Sequence, residues 1–569
     1  MQPDPIHLNA VRRWAIRDGI TRSKFLESYR RSYCLSVSRL VQALYREHLC
    51  DIRIVEHASL GTCMTLGNPA FLLVPIVPLP FVRMEVRVWP PCYRRLGTPL
   101  RWSGTFLREL RGLLKHPAMS LHQEELSFDF KNSLSNLTLN FLLGSRPLVT
   151  RHALEPAYQG HHYYPFPALR VGPSIDHVVA CSHLNTRNVP LSLLEVSVLD
   201  FRSTMFSNAR DCFAAWSGVQ VKESEHAIPV HPWQIEISPV VAGLISARGA
   251  QLLGRKLACM PLASQRTLRV RRTGFDIKLS VDAALTSEHR LLYRLNCENA
   301  PVVSALVGKL LRSEGAELAL DIQADIASLS FGDSRVAPHL SAIVRAPIRL
   351  WSHWEHALPA IELWTGRELA KDFLRGSKPT GVTRFFKDYC QILMRGPFCF
   401  LMRYGLAFEP HLQNSVIVFR GRKPVRLILR DLDGTLMERK RVVPLFKRLN
   451  LQLADDTWDH MPSPEVGESR WVHSVMFGHL GIVIDFLVLH CGATQDELLR
   501  ALAEVWRRLP EMPNLKGVKK RMGIIAEQME KGKSMLLGRL ERSSRMRFVE
   551  LPIHPLFDDE SRRLLARGN

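Results

Sequence analysis

The stretch EPHLQNSVIVFRGRKPVRLILRDLDG, residues 409–434, decides how this chain is read. Val416 to Phe419 and, apart from Arg426, Val425 to Leu429 are apolar runs rich in β-branched residues, separated by a turn region from Gly421 to Pro424. That pattern predicts a β-hairpin. Paired strands lie roughly 5 Å apart, so the open ends of a hairpin meet. Glu409, His411, Gln413 and Asn414 should therefore sit beside Asp431 and Asp433. Carboxylate oxygens suit Mg²⁺, while an imidazole or an amide suits a phosphate oxygen or a reacting acyl group. A polar hairpin base that merely satisfies its own hydrogen bonds is the plainer reading. The number of chemically capable groups that converge favours a site.

An upstream hairpin supplies the opposite charge. Leu268 and Val270 precede a Thr273-Gly274 turn, and Phe275, Ile277, Leu279 and Val281 alternate after it. With Ile277 and Leu279 on one face, Lys278 shares the other with Asp276 and Ser280. Ser264, Gln265, Arg266 and Thr267 lead into this hairpin, and Thr286 and Arg290 follow it. Arginine grips phosphate bidentately, lysine adds a point charge, and hydroxyls complete a cradle. Singly, each cation reads as a solvated surface residue. Grouped at this spacing they resemble a triphosphate site without a Walker loop, since neither G-x-x-x-x-G-K-[ST] nor G-x-G-x-x-G occurs.

Helical periodicity frames both hairpins. Val37, Leu40, Val41, Leu44 and Tyr45 mark a helix near the start. Thr494 to Glu497 reads as a capping box ahead of Leu498, Leu499, Leu502, Val505, Trp506 and Leu509, with Pro510 as the stop. The fold class expected is α+β, with antiparallel sheet in the middle and helices at both ends. At 569 residues the chain suggests two or three domains. Apolar residues at 46% and charged residues at 23% exclude disorder, collagen and coiled-coil arrays. A net charge of +22 favours an anionic partner, nucleic acid or nucleotide alike. Eleven cysteines without a C-x-x-C pair fit a reducing cytoplasm rather than a disulfide framework or a zinc site. The start, Met-Gln-Pro-Asp-Pro, shows no signal peptide. The apolar stretches 68–82, broken by prolines, and 480–489, holding Asp485, both fall short of the roughly 20 residues a bilayer needs. A soluble protein is expected.

Four segments together carry a resemblance. Ile228-Pro-Val-His231-Pro-Trp233-Gln234, then Ser264 to Thr267 with Lys278, Thr286 and Arg290, then His411 to Asn414, then Arg430 to Gly434 stand in a specific order and spacing. In these the chain resembles the nonribosomal-peptide-synthetase-independent siderophore synthetases, the aerobactin-synthetase-like family, from about Gly160 to Lys533–Arg539. The resemblance implies a cupped thumb, fingers and palm, placed here at 1–150, 151–342 and 343–569. It implies ATP-dependent condensation of a citrate-type carboxylic acid with an amine or alcohol through an acyl-adenylate, releasing AMP and pyrophosphate. ATP and Mg²⁺ would be the cofactors, and the partners small-molecule carboxylate and amine or alcohol substrates. No specific nucleic acid and no membrane enter, and a homodimer is compatible with it.

Residue by residue, the resemblance gives Ser264, Arg266, Thr267 and Lys278 the phosphates, with Thr286 in support. Arg290 and His411, with Lys278, would be catalytic, orienting the carboxylate and stabilising developing charge. Asn414 and Gln413 would contact phosphate or sugar. Asp431 and Asp433, joined by Glu409, would hold Mg²⁺. His231 stands as a substrate contact or as a packed structural histidine. The family's loop G-H-P-x-H-P-x-x-K-x-R-x-G reads GHHYYPFPALRVG here, from Gly160 to Gly172. His161 and Arg170 remain as substrate contacts, Tyr164 replaces a histidine and Ala168 a lysine. Altered substrate choice is favoured over weakened catalysis, which would leave a ligand binder.

Two rivals use the same residues. Asp431-Leu-Asp433-Gly434-Thr435 matches the D-x-D-G-T signature of haloacid-dehalogenase-type phosphatases, in which the first aspartate is the nucleophile. That fold needs parallel strands alternating with helices downstream, and the best acidic pair, Asp558-Asp559, lies near the end of the chain. Basic clusters at Tyr29–Arg31, Arg269–Arg272, Arg439–Arg441 and Lys516–Arg521 suggest nucleic-acid binding, but they are dispersed and no binding module accompanies them.

Overall fold

Both hairpins form, and they belong to different sheets. Thr267–Val270 pairs with Asp276–Leu279, Thr267 lying opposite Lys278. Gly274 takes φ +76° at the turn, where a missing Cβ removes the penalty. This hairpin sits inside an eight-stranded antiparallel sheet, in the order Phe201–Met205, Asp325–Phe331, Ser341–Arg345, Asp276–Leu279, Thr267–Val270, Ala250–Pro261, Val189–Val196, His226–Val230. The other hairpin pairs Ser415–Arg420 with Lys423–Leu429 around Gly421 at φ +60°. Its four-stranded sheet adds Glu355–Pro359 at one edge and Leu320–Ile322 at the other, the latter running parallel to Lys423–Leu429. In this computed structural model the described residues are chiefly 6–67, 121–144, 159–184, 189–196, 226–286, 288–365, 369–453 and 463–512, with short stretches between and beyond.

Helices cover the sheets where the periodicity placed them. Helix Arg22–Arg46 buries Val37, Leu40, Val41 and Leu44. The Thr494 capping box is complete, and helix Gln495–Arg508 buries Leu498, Leu502 and Trp506. The expected α+β class holds. The helical N-terminus carries more sheet than expected, in a five-stranded unit that opens with Ile52–His57 and Gly61–Leu66. After Thr435 the described residues form helices and a few short strands, with no run of parallel strand and helix. The phosphatase reading lacks its fold there, and its Asp558 and Asp559 lie outside the described residues.

The estimate of apolar length needs correcting. Residues 480–489 belong to a helical run, Pro464–Cys491, that is 28 residues long and apolar enough to cross a bilayer by length and composition. Its apolar side chains serve the core: Trp471, Val475, Met476, Leu480, Val483, Ile484 and Leu487 are all buried in one hydrophobic cluster.

The 160–172 loop is also a core element. Gly160 takes φ +70° and lies so close to the Pro167 carbonyl that a Cβ would collide with it. Tyr163, Tyr164, Phe166 and Leu169 are buried in the cluster that holds helix Arg22–Arg46. Ala168 packs against Leu137 and Phe141 of helix Gln123–Gly144, and its N–H donates to Ser133 Oγ at 3.1 Å. Ala168→Lys would drive an ammonium into that apolar contact. We expect it to destabilise the fold by about 2 kcal/mol or more, seen as a lower melting temperature. An unchanged melt with a new carboxylate preference would return the loop to the role of substrate contact.

Candidate functional site

Strand alternation brings the two hairpins together. Ile277 and Leu279 point into the hydrophobic cluster behind the eight-stranded sheet, so Lys278 points out of the opposite face. The second hairpin ends at that face. Lys278 Nζ lies 2.7 Å from Asp431 Oδ1 and 2.8 Å from both carboxylate oxygens of Asp433. The lysine side chain is 4% exposed, Asp433 11% and Asp431 31%. Arg345, one strand over, donates to Asp431 and holds the buried Asp325 at 2.7 Å. Burial opposes the charge on Asp431, but the cations of Lys278, Arg345 and Arg266 outweigh it and hold that carboxyl well below its ordinary range. Arg345 and Asp325 were missed in the sequence. The only signal was a charged residue closing the apolar run Ala342-Ile343-Val344.

A second cationic group flanks the first. Arg266 Nη1 donates to the Arg290 carbonyl at 3.2 Å, and burial together with the neighbouring Arg290 charge pulls its pKa down to about 10. Like charges held side by side call for an anion. Arg290 donates to the Leu285 carbonyl and to Thr286 Oγ1 at 3.0 Å. Ser264 Oγ accepts the Thr267 N–H at 3.0 Å, which closes the turn into the strand. Gln265, Thr286 and Asp431 have φ of +64°, +59° and +68°. Backbone strain of this kind collects at binding sites, and β-branched Thr286 bears it least easily.

At the base of the second hairpin, the Arg430 N–H donates to the Asn414 carbonyl, and Arg430 Nε donates to the Gln413 carbonyl at 2.8 Å. His411 Nδ1 accepts the Asn414 N–H at 3.3 Å. Burial lowers the His411 pKa against the pull of Glu409 and Asp431, so the ring is neutral and carries its proton on Nε2. No hydrogen bond joins His411 to Arg290.

Several expectations fail. Glu409 does not join the two aspartates in a metal-holding group; it pairs with Arg470 at 3.6 Å and lines a cavity of about 10 Å³ together with Asp431. Among the described residues no three His, Cys, Asp or Glu side chains form a metal-holding group. Mg²⁺ commonly takes only one or two carboxylates and completes its shell with phosphate and water, so Asp431 and Asp433 by themselves fit it. Tyr164 and His231 are wholly buried. His231 Nδ1 accepts the Trp233 N–H at 3.2 Å, and burial pulls its pKa to about 3. Gln234 of the same motif bonds the Asp282 N–H and the His339 carbonyl, so this segment is a brace. Arg170 is buried too, donating to Gln265 Oε1, Asn136 Oδ1 and Asn140 Oδ1 within 3.0 Å. It latches the loop to the Ser264–Thr267 turn. His161 alone of these is exposed, and its Nδ1 accepts the N–H groups of Tyr163 and Tyr164.

A cavity of about 810 Å³ lies elsewhere, between helices Arg294–Glu314 and Pro379–Tyr404. Its Glu314 carboxylate is taken by Arg403 and Tyr404, and none of the expected site residues lines it. Of the basic clusters, Arg269 is paired with buried Asp276 and Arg441 with Glu438. The cluster 516–521, apart from Val518, lies outside the described residues.

Known proteins resemble this chain along most of its length. The model of the IucA / IucC family matches residues 151–364. A second model, described as ferric iron reductase FhuF-like transporter, matches 383–548. Staphyloferrin A synthase of Staphylococcus aureus is 22% identical over 70% of this chain and 73% of its own. The uncharacterized protein y4xN of Sinorhizobium fredii is 25% identical over 52% of each chain, so the match spans about half of that relative's length. The petrobactin biosynthesis protein AsbB from Bacillus anthracis superimposes with a TM-score of 0.77 at 16% identity, covering 96% of this chain and 98% of that one. ATP-bound aerobactin synthetase IucA from Klebsiella pneumoniae gives 0.74 at 14%, covering 91% and 99%. The IucA / IucC family match over residues 151–364, the similarity to staphyloferrin A synthase and the fold shared with AsbB and IucA support the nonribosomal-peptide-synthetase-independent siderophore synthetase family for this chain.

Proposed function

We propose that this protein is an ATP-dependent ligase that activates a citrate-type carboxylic acid as its acyl-adenylate and hands the acyl group to an amine or alcohol. The observation that carries this reading is the meeting of Lys278 with Asp431 and Asp433, beside the guanidinium pair Arg266 and Arg290. The family-model match and an ATP-bound structural neighbour support it. A carboxylate oxygen of the substrate attacks the α-phosphorus of ATP, the bond from that phosphorus to the bridging oxygen breaks, and pyrophosphate leaves. The amine or hydroxyl then attacks the acyl carbon and loses its proton, and AMP leaves.

The chain's groups divide this work by position. Arg266 and Lys278 hold phosphate charge, with the hydroxyls of Ser264, Thr267 and Thr286 and the amides of Gln413 and Asn414 around them. Arg290 orients the carboxylate, and the Nε2–H of neutral His411 donates to the oxygen on which charge develops. Asp431 and Asp433 would hold Mg²⁺, which neutralises the departing pyrophosphate.

Incubation with Mg²⁺, ATP, a panel of carboxylates and hydroxylamine should release AMP and pyrophosphate and trap an acyl hydroxamate. ADP as the coupled product would overturn the reading, as would hydrolysis of phosphate esters without ATP that Asp431→Asn abolishes. Arg290→Gln should lower kcat by roughly 10²–10³-fold and lower the melting temperature far less than Lys278→Met does, since the bonds lost are those to the Leu285 carbonyl and Thr286 Oγ1. Read singly as a solvated surface residue, Lys278 is instead buried between two carboxylates. Lys278→Met should therefore lose both activity and stability. Full activity in the Arg290 variant would remove Arg290 from the site.

A further inference from the structure

The structure assigns a positioning role to His479, which we propose sets His411 in place through the Pro410 carbonyl, resting on the catalytic part given to His411 above. His479 lies in Pro464–Cys491, where residues His473–Leu480 form a π-helix. A π turn is rare and frequently marks a functional site. Its widened backbone receives the His411 segment: the Leu412 N–H donates to the Gly478 carbonyl at 3.2 Å, and the Ile361 N–H donates to the Leu412 carbonyl at 3.1 Å. A Cβ on Gly478 would come within 3.1 Å of the His411 Cβ, so the glycine makes room for the imidazole.

A buried polar chain fixes His479 itself. Its Nδ1 lies 2.8 Å from the Pro410 carbonyl, which only accepts, so Nδ1 carries the proton. Nε2 then accepts the Tyr389 hydroxyl at 2.6 Å, and Tyr389 Oη accepts Trp364 Nε1–H at 2.8 Å. Tyr389 and His479 are wholly buried and Trp364 nearly so. Burial holds the His479 pKa down to about 3, so the ring remains a neutral, single-tautomer donor. Tyr389 and Trp364 belong to other helices, Pro379–Tyr404 and Ala360–Thr365. Three helices thus converge on the carbonyl before His411. A histidine that served packing alone would not need its tautomer fixed from behind.

The test compares full-length His479→Asn, which keeps an N–H near the Nδ1 position, with His479→Leu, which fills the space without one. Tyr389→Phe, which loses only the hydroxyl, stands in should the leucine variant not fold. In hydroxamate formation, His479→Leu should lose roughly 10²-fold in kcat with the ATP KM unchanged, the asparagine should restore most of it, and Tyr389→Phe should lose less. Amide exchange at Leu412 and Ile361 should quicken in the leucine and phenylalanine variants and stay slow in the asparagine one. Equal losses for asparagine and leucine, a rise in KM alone, or unchanged exchange in both the leucine and phenylalanine variants would overturn the proposal. Should the wild-type protein form no hydroxamate, the proposed function fails, and the exchange measurement alone then decides the role of His479.

Discussion

The site depends on one buried ammonium. Lys278 Nζ is held between Asp431 and Asp433, and those three groups belong to hairpins in different sheets. Charges removed from water are tolerated only when each is paired and hydrogen-bonded, since the desolvation penalty is several kcal/mol per ion. Here the cations Lys278 and Arg345 are matched against Asp431, Asp433 and Asp325, with Arg266 alongside. This pairing locks the hairpins in register with each other. It also explains why strained residues such as Asp431 and Thr286 are tolerated: the surrounding bonds over-determine them.

Local periodicity made much of this legible. Alternation in Phe275 to Val281 was enough to put Lys278 on the face opposite Ile277 and Leu279, and the hairpin rule was enough to bring Asn414 beside Arg430. What escaped was non-local. Arg345 and Asp325 act because Ser341–Arg345 lies between Asp276–Leu279 and Asp325–Phe331 in the sheet, and no spacing in the chain announces that. His479 escaped for the same reason, since its partners Tyr389 and Pro410 are 90 and 69 residues away. The π turn around it depends on packing rather than propensity.

The loop from Gly160 to Gly172 shows where resemblance and packing part. Its departures from the family pattern, Tyr164 and Ala168, read in sequence as changes at the substrate. In the fold both are buried, one among the aromatic residues of the core and the other against Leu137 and Phe141. The retained Arg170 turns inward as well, holding the Ser264–Thr267 turn through Gln265. The loop braces the Ser264–Thr267 turn from behind. Its residues are selected by the volume and hydrogen bonds available there, which is why amino-acid type alone misassigned them.

Melting temperatures of Lys278→Met, Asp433→Asn and the double variant test most directly whether one ammonium joins the two hairpins. Lys278→Met leaves Asp433 buried without its ammonium, an effect worth about 3–5 kcal/mol when such a pair is broken, and Asp433→Asn leaves Lys278 with Asp431 as its remaining carboxylate. Removing both partners relieves that penalty, so the double variant should melt no lower than the less stable single variant. Decreases that simply add would show that Lys278 and Asp433 act independently, and the shared site would be contradicted.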